Sequence, residues 1–480
     1  MPTRRSRTRP RPLLAGAALL LTAGCSVFSE DPDASGAPTP SPSGVTITDA
    51  PPDALAGIEA ALDRRADAVR RGDERVFLAG LATGDQGDPG LLDQQRTYFA
   101  NLRQLPLAVF DYTVDPAGLV RDGEAYWVVV DLAVQLDGFD TAPVVSRDRY
   151  LFTPGDRPGR FRVASVTDLQ WEVDNQVEPQ PWDDGEIVVA RRGNVLGVFD
   201  SGSVRASTKL LASVERGIAD VAGVVPSSWS QSVVVYALST TAFLATLPGL
   251  PGGDPTSVDA VAFPVFAAAG APDADQAGTV ATVGTRFALH PRMLDEAGRA
   301  RDRLVRHELT HVAIGEADDR APVWLSEGLA EYVSVQPLPP EKRTISEAAL
   351  EAARAGVTEM PPDESFNDVG TPGRASANYG IAWFACEYLA ASFGEVALWQ
   401  VLDALDQEDV DPDEVLLAQL GLNQRTLARK AGKLLLATYE APEPVPTPTS
   451  IPTPTPTPAT TPTPAPTPTP GLPTSEPAPG

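Results

Sequence analysis

Residues 306–311 read RHELTH and hold two of the chain's three histidines. Two imidazoles four residues apart, with a glutamate between them, pose a choice between a metal site and an ordinary amphipathic helix. In DEAGRARDRLVRHELTHVAIGE (295–316), Leu304, Val305, Leu309 and Val312 recur at helical spacing, which sets His307 and His311 on neighbouring turns of one face. A single tetrahedral ion reaches both. Glu308 lies one residue further round, off the ligand arc but within reach of a water at the metal. The competing reading is a solvated helix that carries His and Glu by accident. The next helical stretch weighs against it. RAPVWLSEGLAEYVSVQPLPP (320–340) has Pro322 in its first turn and stops before Pro337, and it carries Glu327 and Glu331 one turn apart. A zinc ion with two imidazoles needs one more protein ligand to leave an open position for chemistry, and a carboxylate on a facing helix supplies it.

HELTH followed by WLSEGLAEY resembles the gluzincin metallopeptidases of the peptidase MA-like group, in which a downstream glutamate in a W-L-x-E-G motif completes the histidine pair. The likeness is strong over 300–400 and looser over 186–430, and it does not reach the first block or the tail. It implies a thermolysin-like gluzincin domain and one zinc ion, with His307, His311 and Glu327 as ligands and Glu308 as the general base. It also implies that Glu331 orients a ligand histidine. In SANYGIAWFACEYLAASFG (376–394), Tyr379 matches the tyrosine with which the related membrane alanyl aminopeptidases stabilise the developing oxyanion. Fifteen residues lie between His311 and Glu327, fewer than in thermolysin, so a tight connection is expected. The chain has no G-x-M-E-N stretch, which removes the exopeptidase signature, and no further histidine at metzincin spacing. Endopeptidase action on a peptide or protein is the expectation, with TVATVGTRFALHP (279–291) as a sheet edge that pairs an extended substrate. His290 is read as a structural or surface residue, not a ligand, and Cys386 as a small buried apolar residue.

The ends of the chain have their own signatures. Residues 1–24 combine Arg4, Arg5, Arg7, Arg9 and Arg11 with an apolar run from Leu13 to Leu21, an export signal. The stretch TAGC (22–25) resembles a bacterial lipobox, with Thr22 where leucine is most common, and implies lipidation of Cys25. Residues 25–50 read as a flexible tether, and 441–480, mostly Pro and Thr, as an extended arm that cannot pack a core. Cleavage of the signal takes the formal charge from −26 to −31, which argues against nucleic acid as a partner. With Cys25 acylated, Cys386 has no cysteine to pair with.

Between the ends, 51–180 begins with two helical patterns and continues with the alternating stretches VFDYTV, AYWVVVDLAVQL, RDRYLF and RFRVASV. Helices before an antiparallel meander make an α+β accessory domain whose order resembles the cone-shaped nuclear-transport-factor-like fold. PQPWDDGE (179–186) marks a change of texture, and 183–440 is expected to form the second domain and to bind zinc alone. The expectation is a monomeric zinc metallopeptidase, lipid-anchored on the extracytoplasmic face of a bacterial cell membrane. The alternatives are an envelope lipoprotein that keeps a gluzincin fold as a binding scaffold, and hydrolysis of a non-peptide substrate.

Overall fold

The computed structural model describes residues 52–440, apart from 248–249, 251–253, 268–281, 297, 369 and 408–409. The export signal, Cys25, the tether and the Pro/Thr arm lie outside the described residues. The fold is α+β. Helices α1 (Pro52–Arg71), α2 (Glu74–Ala79) and α3 (Leu91–Leu102) precede strands β1 (Leu107–Asp122), β2 (Ala125–Leu136), β3 (Val144–Pro154) and β4 (Phe161–Ser165). These strands form an antiparallel meander in chain order. Inward residues Phe110, Val128, Val130 and Phe152 alternate with outward ones and pack against Ile58, Leu62 and Phe77 of the helices. The period-2 pattern of the sequence is thus the core-facing pattern of the sheet.

A short helix, α4 (Leu169–Asp174), leads to a second sheet of β5 (Val188–Arg192), β6 (Val195–Phe199), β7 (Val233–Ala237), β8 (Ala260–Phe266) and β9 (Thr282–Leu289). Its order is β5-β6-β7-β9-β8. The pair β5/β6 is an antiparallel hairpin within EIVVARRGNVLGVFD (186–200), whereas β6, β7 and β9 run parallel. Parallel neighbours need a crossover, and α5 (Ser207–Ala222) provides it between β6 and β7. Strand β8 runs antiparallel to β9 and closes the sheet. The edge expected at 279–291 is therefore corrected: β9 is an inner strand, and β8 is the edge. Pro264 gives the physical reason, since a residue with no N–H is confined to strands that have a free side.

Every residue of β6 and β7 is buried, which requires a cover on both faces. Val195, Phe199, Val233, Val235, Phe287 and Leu289 face the helices that follow. Leu196, Val198, Val234, Tyr236, Val261 and Ala288 face the other way and join the core of the first sheet. The buried ion pair of Arg286 on β9 with Asp140 at the β2–β3 turn, 2.8 Å apart, ties the sheets together. The Thr141 N–H donates to the Val283 carbonyl at 2.8 Å beside it. The change of texture near 180 is a change of sheet, while one apolar core runs through it, and the described residues through Tyr439 fall in one compact unit.

The remaining helices are α6 (Gly298–Ile314), α7 (Glu316–Arg320), α8 (Val323–Val335), α9 (Glu347–Ala355), α10 (Arg374–Phe393), α11 (Glu395–Leu405), α12 (Pro412–Leu420) and α13 (Gln424–Tyr439). Helix α6 is seated by Gly217 of α5, whose missing Cβ leaves room for Val305 and Leu309. Gly328 does the same between α8 and α10: a Cβ there would stand 2.6 Å from the Ala382 carbonyl and 2.8 Å from the Cys386 sulfur. Cys386 is fully buried and burial pushes its thiol up, as expected of a small apolar filler. None of the described helices is long and apolar enough to cross a membrane.

Candidate metal centre

Helix α6 is buried over nearly its whole second half, so its polar side chains face protein, not water. His307 is fully buried, Glu308 is 1% exposed and His311 is 6% exposed. From α8, Glu327 reaches the same point, also at 1% exposure. His307 Nε2 lies 3.1 Å from His311 Nε2 and 3.2 Å from Glu327 Oε2, and His311 Nε2 lies 3.5 Å from that oxygen. Ligand atoms about 2.0–2.1 Å from a tetrahedral zinc stand roughly 3.3 Å from one another. The three residues are the one metal-capable His/Cys/Asp/Glu group among the described residues.

The outer edges of both imidazoles are held by acids. His311 Nδ1 is hydrogen-bonded to Asp318 Oδ1 at 2.8 Å, whereas His307 Nδ1 lies 3.4 Å from Glu331 Oε1 at ion-pair distance without hydrogen-bond geometry. Glu331 is itself ion-paired with Arg303. A proton on His311 Nδ1, which Asp318 favours, leaves the Nε2 lone pair of that ring facing His307 and Glu327. Three lone-pair donors at such separations call for a positive charge in their midst. The electrostatics agree. Burial opposes protonation of His311, yet Asp318 and Glu327 raise its pKa well above the ordinary value. His307 is raised in the same way by Glu327 and Glu331 against its burial. Burial works against ionisation of Glu331, but Arg303 and His307 bring it down to about 2. Glu327 is lowered by both histidines despite its burial. The donor set therefore fits a divalent cation of borderline softness such as zinc.

No known protein family matches the chain, and no curated protein matches it in sequence. The site is accordingly read from its own geometry.

Glu308 stands beside the triad without joining it. Burial raises its carboxyl to about 7, and it receives a hydrogen bond from the Ala262 N–H on β8. Its Oε1 has no partner among the described residues. A buried carboxyl oxygen left free in this position can accept a proton from a group held at the triad. The Tyr379 hydroxyl, from α10, lies 3.4 Å from Glu327 Oε1, and Phe366 meets its ring edge-on with centroids 5.3 Å apart. His290 stands apart from the cluster and caps the turn Pro291–Leu294, where its Nδ1 accepts from the Arg292 N–H at 3.0 Å.

The structure thus brings together His307, Glu308, His311, Glu327, Glu331 and Tyr379. Asp318, Arg303 and the Ala262 N–H were not legible in the sequence. Asp318 reaches His311 because Gly315, at φ +59°, breaks α6 and turns the chain back through α7. A glycine four residues past the second histidine, followed by EADD, was the available signal.

Proposed function

We propose that the chain is a gluzincin-type, zinc-dependent endopeptidase, anchored outside a bacterial cell membrane through a lipid on Cys25 and acting on peptides or proteins. One observation carries the reading: His307, His311 and Glu327 converge at ligand spacing while Glu308, next to them, keeps a buried free oxygen. Zinc held by the triad would activate water at neutral pH and polarise a carbonyl. Glu308 would take the proton of the attacking water and pass it to the leaving amine. Tyr379 would turn its hydroxyl from Glu327 to the developing oxyanion. Asp318 and Glu331 would hold the imidazoles in the tautomer that offers Nε2. Strand β8, with Ala262 at Glu308 and no further strand of its sheet beyond it among the described residues, would pair an extended substrate. The N-terminal block, of nuclear-transport-factor-like order, would then buttress the outer face of the second sheet, with which it shares a core.

A second reading, a metal-holding scaffold without turnover, is favoured by the burial of the cluster, since no member is more than 6% exposed. Substrate entry would require the helices or β8 to part. The deciding experiment uses the signal-free chain, residues 26–480, with metal analysis and a diverse peptide library. The wild type is expected to hold one zinc per chain and to cleave. Glu308→Gln should keep the zinc and lose about 10²–10⁴-fold in rate. Glu327→Ala should lose zinc and activity together. Zinc retained in Glu327→Ala would refute the ligand set, and a zinc-loaded wild type that cleaves nothing would establish the scaffold. For the anchor, Cys25→Ser should leave the membrane fraction.

A further inference from the structure

A cavity of about 380 Å³ opens in the N-terminal block, far in sequence from the metal cluster, between α1, α2 and the β3–β4 turn. Six arginines line it: Arg64 and Arg65 of α1, Arg75 of α2, and Arg157, Arg160 and Arg162 of the turn and β4. Asp156 is the one carboxylate in the lining, and it is already ion-paired with Arg162. Among the described residues the other five have no carboxylate partner. In a chain of net charge −26, five arginines around one hollow with no ion pair among the described residues are not explained by an ordinary mixed surface.

Arg65 is the most buried of them, at 5% exposure. Its guanidinium is fixed from three sides. Nε donates to the Tyr112 hydroxyl at 3.1 Å, Nη2 donates to Gln95, and the group stacks 3.9 Å over the Phe77 ring. That leaves Nη1 as a buried donor with no partner. Partial burial and then the neighbouring charge of Arg160 lower the pKa of Arg64, with Asp63 acting in the opposite direction. The rest of the wall is apolar, with Ala61, Val76, Phe77, Phe161 and Val163.

We propose that this cavity binds a phosphate monoester with a compact apolar or ring-shaped body. A dianion with three terminal oxygens suits several planar guanidinium forks at once, whereas a single carboxylate would leave most of them unmatched. The apolar wall takes the body of the ligand, and the volume is that of a small-molecule site. The inference is independent of the metal cluster, and its test reads binding alone.

The experiment is calorimetric titration of residues 26–480 at constant ionic strength with phenyl phosphate, inorganic phosphate and phenol. Phenyl phosphate should bind tightest, inorganic phosphate more weakly, and phenol not measurably. The double variant Arg157→Gln/Arg160→Gln changes two exposed side chains of the turn and should keep the wild-type melting curve. It should bind phenyl phosphate about a hundredfold more weakly, since each charge-assisted contact is worth about tenfold or more. Unchanged affinity in a folded double variant would overturn the site. Equal affinity for inorganic phosphate and phenyl phosphate would overturn the organic ligand.

Discussion

Asp318 holds the Nδ1 side of His311 at 2.8 Å, and through that ring it sets where one of three ligand atoms points. Replacement by asparagine keeps an acceptor but removes the charge that favours the required tautomer. Asp318→Asn is expected to weaken zinc binding about 10–100-fold while leaving one site per chain, measured by competition with a chromophoric chelator. Affinity equal to wild type would show that His311 is oriented without it. At this scale the sequence was informative where geometry is local. His307, Glu308 and His311 lie within two turns of one helix, and Glu327 with Glu331 within one turn of the next, so spacing set each group on one face while the roles of Glu327 and Glu331 came from the resemblance. Asp318 was hidden because its position depends on the positive φ of Gly315, which no periodicity reports.

Between elements, the decisive contact is α8 against α10. Gly328, next to the ligand Glu327, lets the Ala382 carbonyl and Cys386 come close, and this seating brings Tyr379, one turn earlier on α10, to Glu327. Gly328→Val should force the helices apart. The expected cost is about 1–3 kcal/mol of stability from overpacking, read by denaturant titration, together with loss of metal affinity. A variant with wild-type stability and zinc affinity would mean that the helices re-seat freely. Strand positions were largely legible in the antiparallel meander, where inward Phe110 and Tyr112 alternate with outward neighbours. The sheet edge was not. Choosing between 260–266 and 282–289 depended on weighing one proline against proximity to the metal helix, and nearness in sequence misled.

For the whole molecule, the question is what holds the two sheets together. Leu196, Val198, Val234 and Val261 are buried by the first sheet and its helices. Exposing them would cost roughly 6–12 kcal/mol at about 1.5–3 each, comparable to the roughly 5–15 kcal/mol that holds a typical domain folded. Residues 52–440 are therefore expected to melt in one calorimetric transition, and a fragment starting at 183 to be insoluble or to lack cooperative melting. Two separated transitions, or a soluble fragment with a sharp melt, would instead support the division at PQPWDDGE. Composition and texture could not reveal the shared core, because a strand buried on both faces reads the same whichever element covers it. The same arrangement governs the order in which the chain can fold. Ile58 and Phe77 belong to one core with Val234 and Ala288, partners that leave the ribosome long after them. The N-terminal block is thus synthesised first and completed late. Its apolar face waits for β6, β7 and β9, and the slowest step of folding should be the closure of that long interval of chain.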